Sequence, residues 1–238
     1  MPINYYPLVN KAISALGIKN RLLQEAPEEH FFSKPFITIA REPGSGGAPI
    51  AKKLADKLGF VVHDETIIDK VAESTKRRRA IIRQIDEKSR SYVEDLVHSA
   101  LNKDYIDEST FIKELSKVIM MFAHQGNSII LGRGSNFITP FARGLHVNIV
   151  APYELRVQRA IKYEGYDRAK AKKIIAHHEK DRKDFVKKYF KKNLNSRNAY
   201  DLTINTTHYS VDEAAEILEI AFRKKFPAFK RMKAVFFK

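Results

Sequence analysis

Apolar residues along this chain alternate between two spacings, and each change marks an element. Phe36 to Ala40 is a short β-branched run that stops at a glycine-rich turn and reads as a strand. After the turn, Ile50, Leu54 and Leu58 recur four apart, with Lys52, Lys53, Asp56 and Lys57 between them, the pattern of an amphipathic helix. Gly59 breaks that helix, and Phe60 to His63 forms a second short strand ending at Asp64. Residues 65–125 are helical in pattern and densely charged, with four basic residues at Lys76 to Arg79. Gly126 and Asn127 then introduce a third strand, Ser128 to Leu131, which runs into Gly132, Arg133 and Gly134. A fourth, His146 to Val150, stops at Ala151 and Pro152, and helical periodicity resumes through a basic segment. Asp201 to Asn205 makes the fifth strand. Val211 to Phe226 closes with an amphipathic helix whose start is marked by Ser210 and Glu213 at capping-box spacing.

Five apolar strands bounded by turns and separated by helices predict an α/β fold, a five-stranded parallel sheet with helices on both faces. The core begins at Pro35 and runs to Phe226. Residues 1–34 are predicted as a helical appendage, striped by Tyr6, Leu8, Val9, Ala12, Ile13 and Leu16 and closed by Gly17. Residues 227–238 form a basic, aromatic tail. Ligands of open parallel sheets bind beyond the carboxyl ends of the strands. Arg41, Asp64, Arg133 and Asn205 all fall at or just past such an end.

The turn itself carries chemistry. Gly44, Ser45, Gly46 and Gly47 stand between a strand and a helix N-terminus, where curled backbone N–H groups and the helix dipole favour an anion. The same four residues also suit a plain tight connection. The phosphate-loop pattern G-x-x-x-x-G-K-[ST] would put Lys and Ser or Thr after Gly46, yet Gly47 and Ala48 stand there, and Arg41 holds the first glycine position. Arg133, flanked by glycines after a buried strand, offers a guanidinium fork to a phosphate or carboxylate, or is a solvated loop residue. Lys70 lies about two turns into the helix after Asp64, where it either points back toward the same crevice or is an ordinary surface lysine. Asp64 is a carboxylate that orients the acceptor or reaches magnesium through water, or else the N-cap of that helix.

Composition narrows the field. With no cysteine there is no disulfide framework, thiolate metal site or cysteine nucleophile. His177 and His178 are adjacent and diverge on a helix, so no metal site is predicted. No run approaches the roughly 18 apolar residues of a membrane span, and the start lacks the layout of a secretory signal, so a cytoplasmic protein fits best. The net charge of +15 is concentrated. Residues 168–192 hold eleven Lys and Arg against three acids, and residues 223–238 hold seven and no acid. The first cluster suits polyanionic ligands. The tail is either a solvated face or a contact for nucleic acid or another acidic partner.

Four segments together resemble the cytidylate kinase-like proteins, a branch of the nucleoside monophosphate kinases. They are Ile37 to Gly47 (ITIAREPGSGG), Ile130 to Ile138 (ILGRGSNFI), His146 to Pro152 (HVNIVAP) and Tyr200 to Thr206 (YDLTINT), in the family's order. The resemblance spans about Pro35 to Phe226. It implies a P-loop NTPase-like three-layer sandwich, with residues 65–125 as a helical monophosphate-binding insertion and 160–198 as a basic lid. It implies that Gly44 to Gly47 hold the phosphates of ATP and that Lys70 and Arg133 grip the acceptor's phosphate; Arg41, counted with the phosphate-binding residues for its place at the strand end beside the loop, Arg159 or Arg182 could replace the charge of the missing loop lysine. Arg159 and Arg182 match basic positions that close over the transferring group. Departures are equally plain. Gly47 and Ala48 replace the loop lysine and the hydroxyl that helps hold magnesium, and Leu131 replaces an aspartate before the Gly-Arg motif.

The leading expectation is phosphoryl transfer from ATP–Mg²⁺ to a pyrimidine nucleoside monophosphate, CMP or dCMP. The alternative is a nucleotide-binding module with a degenerate loop. The third is a basic nucleic-acid-binding protein, with Tyr189, Phe190, Phe229, Phe236 and Phe237 stacking on bases or else anchoring helices to the core.

Overall fold

The computed structural model describes residues 32–73, 87–101 and 110–229 of the chain. The N-terminal helical stripe, the basic run at Lys76 to Arg79, and Phe236 and Phe237 lie outside the described residues. The strands are β1 (Phe36–Arg41), β2 (Val61–His63), β3 (Ser128–Leu131), β4 (Gly144–Val150) and β5 (Leu202–Asn205). All pair in parallel in the order β2-β3-β1-β4-β5. The helices are α1 (Gly47–Leu58), α2 (Glu65–Glu73), α3 (Glu87–Ala100), α4 (Thr110–Gln125), α5 (Ser135–Ile138), α6 (Tyr153–Glu164), α7 (Arg168–Phe190) and α8 (Val211–Lys225).

Because strand side chains alternate between faces, the sheet sorts its residues into two cores. Ile37, Ile39, Leu145, Val147 and Ile149 turn toward α1 and α8, where they meet Ile50, Leu54 and Leu218. Phe36 and Ile130 face the other way, into a core with Ile68 of α2, Val97 of α3 and Leu115 and Ile119 of α4. Three layers result. Side chains buried this completely contribute about 1.5–3 kcal/mol each. A smaller cluster of Val157, Ala160, Ala171 and Ile175 joins α6 to α7.

Element edges depart from the sequence pattern where packing overrides it. β2 starts at Val61 because the Phe60 N–H bonds back to Ala55 O at 2.9 Å, while its ring packs on Phe222 at 5.3 Å. β4 starts two residues before His146, because Gly144 pairs with Phe36 and leaves room for that ring. Asp201 precedes β5, and its carboxylate accepts the His146 N–H at 2.8 Å. The capping box at Ser210 and Glu213 is present in full.

Two aromatics weighed as base-stacking groups are structural. Phe229 packs edge-on against Phe60 and Phe222, and Phe190 is buried against Phe137 and Phe185.

Candidate functional site

Every strand is parallel, so Arg41 at the end of β1, Asp64 after β2, Arg133 after β3 and Asn205 at the end of β5 lie along one edge. That edge holds the glycine loop. From Glu42 to Gly46 the backbone leaves β1, turns with Ser45 N donating to Glu42 O at 3.2 Å, and enters α1. Gly46 sits at φ 89°, a left-handed conformation that favours glycine. No side chain caps the start of α1, so its first-turn N–H groups face the loop without a side-chain acceptor.

The loop is braced from outside. Arg156 of α6 is buried, and its Nε donates to Ala151 O at 2.9 Å, while Nη1 reaches Pro43 O at 3.4 Å and Glu179 Oε1 of α7 at 2.6 Å. Thr206 Oγ1 donates to Ser45 O at 2.8 Å and accepts from Arg159 Nη1 at 2.9 Å. These bonds lock the loop to the ends of β4 and β5 and to the basic helix α7.

Beside the loop opens a cleft of about 410 Å³, lined by Arg41, Glu65, Asp69, Arg133, Arg182 and Phe185 among others. Each guanidinium comes from a different element. Arg41 Nη2 donates to Glu65 Oε1 at 2.8 Å. Arg133 grips Asp69 with two bonds, Nε to Oδ1 at 2.9 Å and Nη2 to Oδ2. Arg182 Nη1 donates to Arg41 O at 3.0 Å, and its Nη2 lies 3.7 Å from Glu65 Oε1. Burial pushes the Arg41 guanidinium down to about 10, with Arg182 adding to the effect and Glu65 opposing it. Burial also lowers Arg182. Arg133 moves the other way, because its hydrogen bond to Asp69 outweighs its burial. All three remain cations at neutral pH.

Of the residues expected from sequence, Arg41, Arg133 and Arg182 come together in this cleft, while Gly44, Ser45, Gly46 and Gly47 form the adjoining loop between β1 and α1 and are not among the residues that line it. Ser45 is fully buried, its Oγ without a hydrogen-bond partner. Arg159 is off the cleft lining and is bound to Thr206, its Nη2 donating to Thr206 O at 2.9 Å. Asp64 precedes α2 outside the cleft lining, and Lys70 is exposed and also off the lining. Glu65 and Asp69 take those places. They are four apart on a helix whose neighbours Ile68 and Ala72 are buried, so helical spacing was the available signal. Arg156 left no motif in the sequence.

Residues 36–208 match the family model of the cytidylate kinase-like family. The chain belongs to that family. Among its relatives, the cytidylate kinase of Methanopyrus kandleri is 27% identical over 194 residues, covering 78% of this chain and 91% of the relative. That of Archaeoglobus fulgidus is 28% identical over 186 residues, covering 76% and 91%. A solved structure, described as an uncharacterized protein from Eubacterium ventriosum, superposes with a TM-score of 0.62 at 22% identity. It covers 80% of this chain and 98% of that one, and supports the fold alone.

Membership in a kinase family implies ATP and a metal in general. The residues here do not fit a magnesium ion held by the protein. Ala48 and Leu131 carry no side-chain oxygen, and Glu65 and Asp69 are bound to arginines. Among the described residues no group of three His, Asp or Glu is placed to hold an ion.

Proposed function

We propose that this protein transfers a phosphoryl group from ATP, supplied as its magnesium complex, to a pyrimidine nucleoside monophosphate, with CMP or dCMP as acceptor. One observation carries the reading: three arginines from β1, the β3 end and α7 converge on a single cleft beside a glycine loop. Phosphoryl transfer rests on positioning and on neutralising charge at the transferred group, and needs no covalent intermediate with the protein. In this reading Gly44 to Gly47 receive the donor phosphates on backbone N–H groups, and Arg133 binds the acceptor phosphate with its fork. Arg182 is carried by a basic helix clipped to the loop through Arg156 and Glu179 and donates to Arg41 O, and in this reading it serves the transferring group. Residues 65–125 then act as the monophosphate-binding insertion and 160–198 as the lid. The cytoplasm, where ATP is supplied, is the compartment proposed with this reading.

A second reading, a nucleotide-binding module with little turnover, is favoured by Ala48 and Leu131, which carry no oxygen where the family resemblance leads one to expect a hydroxyl and a carboxylate. Coupled assays with ATP over a panel of monophosphates, run beside a direct ATP titration, separate the two. Transfer to CMP or dCMP above the other acceptors supports the first. Nucleotide binding with no transfer to any acceptor supports the second.

A further inference from the structure

The phosphate-loop pattern puts glycine at its first position and a lysine at its seventh, which are positions 41 and 47 of this chain. Here the two residue types are exchanged: Arg stands at 41 and Gly at 47. The structure gives a physical reason for finding the two together. A Cβ built on Gly47 would stand 2.6 Å from Arg41 Cβ and 2.7 Å from its Cγ. Real side chains do not approach so closely, so the stem of Arg41 fills the space that a side chain at 47 would need. Arg41 is only 10% exposed, and at its other end the guanidinium passes over Gly132, where a Cβ would collide with Nη1. Gly47 thus leaves room for the stem of one arginine, while Gly132, at φ 86°, is a glycine for its backbone and lets the head pass. That side chain leads from the loop into the cleft that also holds Arg133 and Arg182.

We propose that Arg41 is the phosphate-loop cation of this protein, moved from the helix start to the strand end, and that Gly47 is a glycine because the stem of Arg41 occupies its side-chain space. The inference rests on the kinase reading and adds to it the source of the missing charge. The exchange also alters the chemistry at the loop. A lysine is a point charge, whereas a guanidinium spans two phosphate oxygens at once. Glu65 holds that fork at 2.8 Å in the free protein and is the positioning residue that yields it to a phosphate.

Calorimetric titration with Mg–ATP and with inorganic tripolyphosphate tests this on wild type, Arg41→Ala, Gly47→Ala and the Arg41→Ala/Gly47→Ala pair, each checked for folding by thermal melt. The expected loss for Arg41→Ala is about 10- to 100-fold for both ligands, as for a charge-assisted contact to phosphate. Gly47→Ala should weaken binding although it removes no charge, and should add nothing once Arg41 is gone, because the collision is gone too. An Arg41→Gly/Gly47→Lys variant that regains binding over Arg41→Ala would support the exchange directly. Arg41→Ala binding ATP within about threefold of wild type overturns this inference while the kinase reading stands. So does a Gly47→Ala loss that persists undiminished in the pair. A wild-type chain that binds no ATP removes both.

Discussion

Arg133→Ala takes one bidentate guanidinium out of the cleft, and the structure bounds what that should cost. A charge-assisted contact to phosphate is worth about 1.5–3 kcal/mol. In the free protein, however, Arg133 is not idle: it holds Asp69 through two bonds, with its side chain 31% exposed and that of Asp69 25%. Exchanging that partner for a phosphate gives back on the order of 0.5–1 kcal/mol, the worth of a partly screened ion pair. The net loss should be about 1–2 kcal/mol, or roughly 5- to 30-fold in affinity for CMP. Calorimetry with CMP and with cytidine is the discriminating assay, because only the monophosphate carries the group Arg133 meets. Arg133→Lys should recover part of the loss, since an ammonium cannot form the fork. Asp69→Asn should tighten CMP binding a few-fold, because it removes the competing carboxylate. Equal weakening of cytidine and CMP would refute the reasoning and make Arg133 a structural residue. Weaker CMP binding in Asp69→Asn would show instead that Asp69 presents the fork rather than competing for it.

Gly46→Val should abolish ATP binding in a chain that still folds. The residue sits at φ 89° with Ile50 Cδ1 3.6 Å from an added Cβ, so the expected cost is about 1–3 kcal/mol of backbone strain and a blocked phosphate approach, read by melting and ATP titration. Arg182→Ala should lower any transfer rate by about 10²-fold with CMP affinity changed less than threefold, measured in single-turnover assays. Stability should fall in mild acid. Burial holds His146 down to about 4, facing Thr38 Oγ1 at 2.6 Å, Pro140 O, Asp201 and Lys225, and it remains neutral in the fold while the unfolded chain protonates near 6.5. The unfolded state therefore binds more protons between those values, and stability is lost as pH falls through that window, by up to about 3 kcal/mol. His63, also held near 4 by burial, adds in the same direction. Melts at pH 7.5 and 5 should differ by several degrees, and His146→Gln should shrink the difference.

Much of the fold was legible because strand period and helix period alternate cleanly. Ile37 and Ile39 against Thr38, and Ile50, Leu54 and Leu58 against the lysines between them, are local signals that tertiary packing obeys. Edges were less legible, because the start of β4 is set by Phe36 on another strand and the start of β2 by a ring contact with Phe222. The site divided in the same way. Arg41, Arg133 and Arg182 announce themselves by glycine neighbours, strand ends or family motif. Glu65 and Asp69 do not, since a carboxylate on a charged helix looks like any other until the helix is rotated against its buried neighbours. Asp64 and Lys70, one position to either side, are about 100° around from the residues that line the cleft. Arg156 was hidden because its partners, Pro43, Ala151 and Glu179, lie on three separate segments.

The carboxylates explain how the cleft holds together before any ligand arrives. Three guanidiniums of like sign, partly desolvated, repel one another by an amount that near a protein surface reaches several kcal/mol for a pair about 4 Å apart. Arg182 and Arg133 both push the charged form of Arg41 down, as that repulsion requires. Glu65 answers it by lying 2.8 Å from Arg41, 3.7 Å from Arg182 and 3.9 Å from Arg133, while Asp69 engages Arg133 alone. The shared carboxylate is divided among three cations and satisfies none of them fully; the dedicated one nearly saturates its partner. A phosphate entering the cleft therefore meets incompletely paired cations at Arg41 and Arg182, whereas at Arg133 it must first displace a bidentate grip, which is what trims the net gain there to about 1–2 kcal/mol. Removing Glu65 should consequently destabilise the free protein more than removing Asp69, because three repelling charges lose their common counter-ion and only one retains a partner.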